Sequence, residues 1–178
     1  IVPAEEQLTV ADNVDVAVAP NGRLLAYISG PRADMLGPKK LLLQSLDDVT
    51  PTTLASDSSL YAPFFSPDSE WVGVYDLGER ALRRVSVQGG SAVKISDVPG
   101  IIRGASWGID DTIIFATADG GLWRVAAGGG VPEQLTTPDT TQGERGHFWP
   151  EFLPGGQEVL FTVIANSMEE SLIAVLSL

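Results

Sequence analysis

The sequence predicts an all-β fold, a β-propeller of four-stranded antiparallel blades, on three observations. A strand–turn–strand pattern recurs four times with a period of 42 to 47 residues, which is typical of propeller blades. The chain has 178 residues with 19 Gly and 12 Pro, so it is rich in turns. The runs between the turns are short, apolar and rich in β-branched and aromatic residues, as strands covered on both faces are.

Each repeat joins two apolar strands through a turn whose residue types tolerate positive φ. The four turns are Asn21-Gly22, Asp68-Ser69, Asp110-Asp111 and Gly155-Gly156. The predicted second strands are residues 24–28, 71–75, 112–116 and 159–164. The predicted third strands are residues 40–46, 81–87, 121–126 and 171–178. The predicted outer strands are residues 53–57, 94–97 and 134–139, and the last repeat has none.

A copy of the outer-strand pattern stands near the start of the chain. Residues 6–12 (EQLTVAD) resemble residues 133–139 (EQLTTPD), whereas the last repeat stops at its third strand. Because open sheet edges are costly, we expect residues 5–12 to close the last blade. The sequence thus predicts one propeller over residues 1–178. Its blade repeats lie at residues 13–57, 60–98, 102–139 and 147–178.

Three kinds of closure satisfy this pattern. The strand at residues 5–12 can pair within its own chain and close a four-bladed ring. It can also pair with the last repeat of a second copy, so that a homodimer closes an eight-bladed ring. The chain can instead be part of a larger propeller. The sequence leaves all three open.

The charge balance restricts the classes of partner. Eleven Lys and Arg against 23 Asp and Glu give a net charge of −12, which disfavours nucleic acid and anionic membrane surfaces. No apolar run reaches the length of a membrane span, so no membrane insertion is expected. There is no Cys and only one His, and neither a metal site nor a cofactor is predicted. A neutral or cationic protein or peptide is the favoured ligand.

Several motifs resemble those of TolB-type, WD40-like propellers. Residues 66–72 (SPDSEWV) resemble their S-P-D-G core, and Leu-Thr pairs at 8–9 and 135–136 resemble the ends of their repeats. Residues 143–156 (GERGHFWPEFLPGG) resemble a junction in the propeller found C-terminal to bacterial eukaryote-like Ser/Thr protein kinases. The resemblance implies a sensing role in bacterial signalling and an extracytoplasmic location. Kinase motifs themselves are absent, so kinase activity is not implied.

One polar cluster is predicted to bind a ligand. Glu144, Arg145, His147 and Trp149 stand directly before the inner strand of the last repeat. Loops that lead into inner strands line one face of a propeller, so we expect this cluster at the mouth of a central channel.

The sequence also contains a hydrolase-like pattern whose context does not fit a hydrolase. Residues 104–108 (GASWG) match G-x-S-x-G, and Ser106 is followed by Asp110 or Asp111 and then His147, the chain order of α/β-hydrolases. A nucleophile elbow needs a strand–turn–helix context, and here a hairpin follows. The sequence therefore predicts no enzyme. It predicts a non-catalytic binding or sensing module for a protein, peptide or small ligand. The alternatives are a hydrolase or peptidase-associated propeller and a purely structural unit.

Overall fold

The computed structural model describes residues 15–30, 39–57 and 59–178. These residues form antiparallel sheets and two single-turn 3₁₀ segments, Thr140–Gln142 and Met168–Glu170. The chain divides into two compact units, one ending at Ile95 and the other beginning at Ser96.

The first unit contains two sheets of four strands. In each sheet the spatial order follows the order of the chain. The strands of the first sheet are β1 (Val16–Val18), β2 (Leu24–Ser29), β3 (Lys39–Ser45) and β4 (Thr52–Asp57). Those of the second are β5 (Leu60–Phe65), β6 (Trp71–Asp76), β7 (Ala81–Ser86) and β8 (Val93–Asp97), whose last residues cross the unit boundary. Ile28, Leu41, Val72 and Val74 are fully buried between the sheets, which explains the continuous apolar runs.

The second unit contains a four-stranded and a three-stranded sheet. The strands of the first are β9 (Ile102–Trp107), β10 (Thr112–Thr117), β11 (Leu122–Ala126) and β12 (Glu133–Gln134). Those of the second are β13 (Gly146–Phe152), β14 (Glu158–Ile164) and β15 (Leu172–Ser177). Ile114, Leu122 and Val159 are fully buried in the core of this unit.

Short-range features of the sequence fix the turns between the first two strands of the sheets. In three sheets a side-chain oxygen at the turn accepts a backbone N–H two residues on: Asn21 from Arg23 at 2.8 Å, Asp68 from Glu70 at 2.9 Å, and Asp110 from Thr112 at 3.1 Å. Such Asx turns fix the hairpin locally. The fourth turn uses Gly155 and Gly156, both at positive φ.

The structure confirms the all-β blade architecture and the predicted second and third strands. It corrects the third outer strand, because pairing ends at Gln134 rather than continuing to Asp139. The amides of Leu135 and Thr136 both bond to the Leu122 carbonyl, which interrupts the ladder, and Pro138 has no N–H to resume it. The predicted closing strand at residues 5–12 and most of the insertion after β2, residues 31–38, lie outside the described residues.

Candidate functional site

A β-bulge recurs at one position of the first strand in three sheets. Ala62 of β5, Gly104 of β9 and Trp149 of β13 each stand five residues before the residue aligned with Pro67, and each has positive φ, at 49°, 98° and 53°. At each place two residues oppose one on the neighbouring strand. A bulge re-aims side chains, and bulges are over-represented beside functional sites.

Trp149 is the unusual occupant of this position. A bulky residue with φ of 53° is an outlier, and the left-handed conformation costs a non-glycine residue about 1–3 kcal/mol. Its side chain remains 40% exposed, although its ring meets that of Phe148 edge-on at 5.8 Å between centroids. The fold therefore carries a strained tryptophan that it does not bury.

Gly104 makes room for this tryptophan. A Cβ atom on Gly104 would lie 2.9 Å from Cα of Trp149 and 3.3 Å from its Cδ1. The bulges of β9 and β13 therefore approach each other closely within the second unit. Glycine is required at 104 both by its φ and by this approach.

Next to this bulge, Glu151 and Ser106 form a polar pair. The Ser106 hydroxyl is buried, hydrogen-bonds to the Glu151 carboxylate and accepts the backbone N–H of Phe152 at 3.1 Å. Partial burial of the carboxyl raises the pKa of Glu151, and the bond from Ser106 opposes that rise. Shifted carboxyl pKa values cluster at functional sites, so this pair is a candidate functional group.

His147 lies on β13 with Glu151, and both nitrogens of its imidazole ring have a polar partner. Its Nδ1 lies 2.7 Å from the Thr136 hydroxyl, and its Nε2 lies 3.2 Å from the Glu144 carboxylate. The Glu144 carboxylate only accepts, so Nε2 carries the proton toward it, and in a neutral imidazole Nδ1 then accepts the Thr136 hydroxyl. The ring is 6% exposed. His147 thus ties β13 to the segment after β12.

The structure brings only part of the predicted cluster together. Glu144 and His147 are in contact, and Glu144 also accepts the backbone N–H of Asp139 at 2.6 Å. Arg145 is exposed and donates from Nε to the side chain of Asn166 at 2.6 Å. Trp149 lies apart from these bonds, at the bulge. The predicted binding role of the four residues stays a prediction.

The hydrolase triad is not assembled in the described part of the chain. Ser106 lies within strand β9 and is followed by a hairpin, as the sequence predicts. Asp111 accepts the Trp107 Nε1–H at 3.2 Å, and Asp110 bonds to Thr112. Both nitrogens of His147 have the partners described above, so Ser106 has no histidine base.

Sequence reasoning missed Glu151 and the bulge beside it. One signal was available, because Pro63 and Pro150 directly follow Ala62 and Trp149, and these residues lie in β5 and β13. Proline within a strand is confined to edges and bulges, where no ladder hydrogen bond is lost. Glu151 carried no such signal, since its pairing with Ser106 depends on the register that the bulge sets.

Metal-ligand clusters and membrane-spanning helices are both absent from the described residues. Across the described ranges, no three His, Asp or Glu side chains gather as metal ligands would. The same ranges contain no helix with the length and apolar character of a membrane span.

Comparisons with known proteins identify the fold. No family model matches the sequence, and no curated protein matches it. The structure is similar to a protein assigned as TolB from Agrobacterium tumefaciens, with a TM-score of 0.75 and 18% identity over 93% of this chain. It is also similar to TolB from Acinetobacter baumannii, with a TM-score of 0.72 and 19% identity over 92% of this chain. The fold is that of a TolB-like β-propeller. The chain spans 61% and 40% of those two proteins.

The comparisons also correct one prediction. A similar structure is that of a protein from Xanthomonas campestris named as a gluconolactonase, with a TM-score of 0.69 and 17% identity over 90% of this chain and 56% of that one. The prediction that the chain is not an enzyme is therefore wrong, because it was drawn from the lack of a recognisable catalytic motif, whereas a protein named as an enzyme has a similar structure. Catalytic proteins share this architecture, and a fold does not fix a function.

Proposed function

We propose that this chain is a ligand-binding part of a TolB-like propeller, and that it holds a protein or peptide segment at the bulges of β9 and β13. The observation that carries the proposal is Trp149, a bulky residue held at positive φ and left 40% exposed. Gly104 and Ala62 occupy the same backbone position without an aromatic ring, so the fold alone does not call for one. Exposed aromatic rings are common anchors in protein interfaces.

The charge around Trp149 favours a neutral or cationic ligand segment. Glu151 stands two residues after Trp149, and the whole chain carries a net charge of −12. A cation placed over the indole ring would gain from the ring quadrupole and from the acidic field. An extracytoplasmic location is part of this proposal, as is a sensing role, and both rest on the TolB-type and kinase-associated motifs.

A peptide-display selection against the chain tests the proposal. We expect enriched peptides to be neutral or basic and to change the fluorescence of Trp149, the most exposed of the four tryptophans. Trp149→Gly should weaken their binding at least tenfold. Ala62→Gly is the matched control, since it changes the equivalent bulge residue of the first unit and should leave affinity unchanged. Peptides that bind Trp149→Gly as tightly as the unchanged chain would contradict the proposed site.

Hydrolysis is a second candidate, favoured by the Ser106–Glu151 pair. A raised pKa makes the Glu151 carboxylate a better proton acceptor near neutral pH, so it could take a proton from a water molecule that attacks an ester or lactone. The similar structure named as a gluconolactonase makes a sugar lactone the first substrate to test. Acid release from gluconolactone should then exceed the spontaneous rate. Glu151→Gln should abolish the excess and Glu158→Gln, an exposed glutamate on β14, should not; no excess rate rejects this candidate.

A further inference from the structure

A surface cavity lies at one end of the third sheet, where β10 begins and β11 ends. Its volume is about 220 Å³, which is below the roughly 300–1,000 Å³ of most small-molecule sites and suits a single ring or side chain. The lining residues are Thr112, Arg124, Val125, Ala126, Val131 and Glu133. The bulge of β9 pairs beside the other end of β10, so the cavity shares no residue with the peptide site proposed above.

The second sheet holds an aromatic ring at the corresponding place. Trp71, the first residue of β6, pairs with Ser86 of β7, and Arg84 stands two residues before Ser86. The guanidinium carbon of Arg84 lies 4.8 Å from the centroid of the Trp71 ring, which is a cation–π contact. The first and last sheets carry Leu43 and Val175 at the position of Arg84, so the fold does not require an arginine there.

Thr112 takes the position of Trp71 in the third sheet. It is the first residue of β10 and pairs with Ala126 of β11. Arg124 stands two residues before Ala126, as Arg84 stands before its own cross-strand partner. The strand pairing is thus the same in the two sheets, but a threonine is too small to cover the guanidinium. The cavity lies where the second sheet has an indole ring.

Arg124 is held in one orientation by an ion pair. Its Nε donates to Oε2 of Glu133 at 2.9 Å, and its Nη2 lies 2.8 Å from the same oxygen. The two residues stand directly opposite each other on β11 and β12. The ion pair uses the edge of the guanidinium, whereas stacking on an aromatic ring uses its flat face. A side chain that is already oriented loses less conformational freedom when a ligand binds.

We propose that this cavity binds an aromatic side chain, tryptophan above all, presented by a protein partner. The ring stacks on the Arg124 guanidinium as the Trp71 ring stacks on that of Arg84, and its edge contacts Val131, which is 91% exposed. Tryptophan offers the strongest cation–π attraction among the aromatic side chains. The expected source is a polypeptide, because the corresponding ring of the second sheet is itself carried by a β-strand.

Titration with N-acetyltryptophanamide, followed by NMR at the backbone N–H groups of Ala126 and Val131, tests the cavity. We expect saturable shifts of both resonances. Thr112→Trp fills the cavity with the chain's own ring and should weaken binding by about tenfold or more. Thr140→Trp is the matched control, at an exposed threonine of the first 3₁₀ segment, and should leave binding unchanged. No shift in the unchanged chain, or equal affinity in Thr112→Trp, overturns the proposal.

Removal of the cation tests the stacking without adding a larger side chain. Arg124→Gln should weaken binding of N-acetyltryptophanamide by about tenfold, since the guanidinium supplies the attraction to the ring. Arg23→Gln, at an exposed arginine of the first unit, should not. Binding that survives Arg124→Gln unchanged contradicts the assigned role of Arg124.

The second sheet allows the converse experiment. Trp71→Thr should open an equivalent cavity beside Arg84, and the titration should then show a second saturable site at the backbone N–H of Ser86. A Trp71→Thr chain without this second site would show that the two places are not equivalent, and the proposal would fail. Indole serves as the comparison ligand. If indole binds and N-acetyltryptophanamide does not, the cavity takes a small molecule rather than a residue of a polypeptide, which also overturns the proposal.

Discussion

The bulges of β5 and β13 share a backbone conformation and differ in almost everything else. On β5 every residue is buried, Ala62 donates its N–H to the buried Asp15 carboxylate at 3.5 Å, and the Lys39 ammonium lies 3.2 Å above the ring of Tyr61. On β13 the bulge is open, because Trp149 is 40% exposed and Glu151 is also exposed. The bulge on β5 is buried within the first unit, whereas the bulge on β13 leaves an aromatic ring exposed to solvent.

The comparison shows that the fold requires the backbone conformation of the bulge but not a particular side chain. Three sheets adopt positive φ at the same position with three different residues, so the backbone conformation belongs to the architecture. The side chain does not, since alanine and glycine serve there as well. The tryptophan that bears the same backbone cost without being buried is the observation behind the proposed ligand site. Four experiments can break or sharpen this contrast.

Gly104→Ala should have the largest effect. The new Cβ would meet the backbone of Trp149 at 2.9 Å, and alanine at φ of 98° is strained in any case. We expect a loss of about 3 kcal/mol or more in the free energy of unfolding, measured in urea. Gly128→Ala is the matched control, with open space around its Cβ position, and should change stability by less than about 0.5 kcal/mol. Equal stabilities for the two variants would show that the bulges of β9 and β13 do not touch in solution.

Thr136→Val should have the next largest effect. It removes the acceptor for the Leu122 N–H and the partner of His147 Nδ1 while keeping the volume of the side chain. Leaving these groups unpaired should cost about 2 kcal/mol. Thr137→Val, on the exposed neighbouring residue, should cost almost nothing. Urea unfolding of the two variants measures the difference, and a Thr136→Val protein as stable as the control would mean that the tie to His147 contributes little.

Trp149→Gly should cost far less than the loss of a tryptophan from a β-strand usually does. Relief of the left-handed conformation, about 1–3 kcal/mol, offsets the packing lost from a half-exposed ring. We expect a change within about 1 kcal/mol, together with the loss of peptide binding proposed above. Calorimetric melting of this variant and of Ala62→Gly compares the open and closed bulges directly. A loss above about 3 kcal/mol for Trp149→Gly would assign the tryptophan to the core instead.

The smallest effects are opposite responses to pH in the two units. The Ser66 hydroxyl, followed by the Glu70 N–H, holds the pKa of Asp68 below its ordinary value, so its stabilisation is lost as pH falls through that lowered pKa. Burial raises the pKa of Glu151, so its ionisation destabilises the fold as pH rises from the ordinary carboxyl value through the raised one.

Urea midpoints measured across the acidic range separate these two responses. Asp68→Asn keeps an Asx turn like that of Asn21 and should flatten the loss of stability at low pH. Glu151→Gln should remove the decline at higher pH. Unchanged pH profiles in both variants would contradict the two assigned environments.

Local chemistry made much of this fold predictable. Turn pairs such as Asn21-Gly22 and Asp68-Ser69 predict hairpins from sequence, because each turn and its hydrogen bond lie within a few residues. The buried second strands follow from their unbroken apolar runs. These signals needed no knowledge of what lies across the sheet.

The candidate site was predictable only in part, because its geometry depends on pairing. His147, Glu144 and Arg145 were singled out by residue type, but their partners Thr136 and Asn166 lie on other segments. Burial raises the pKa of Glu151, and the bulge beside this residue was hinted at only by Pro63 and Pro150. The hydrolase-like motif around Ser106 is misleading for the same reason. Its residues match the motif in sequence, but the fold does not place His147 beside the serine.

The Asx turns have a consequence for how the chain is made. Each of Asn21, Asp68 and Asp110 accepts a hydrogen bond from a backbone N–H two residues later in the chain. A hairpin can therefore begin to form before more distant segments have been synthesised. During synthesis on the ribosome, one blade can therefore fold while the next is still being translated. Each folded blade then provides a surface on which the next blade packs.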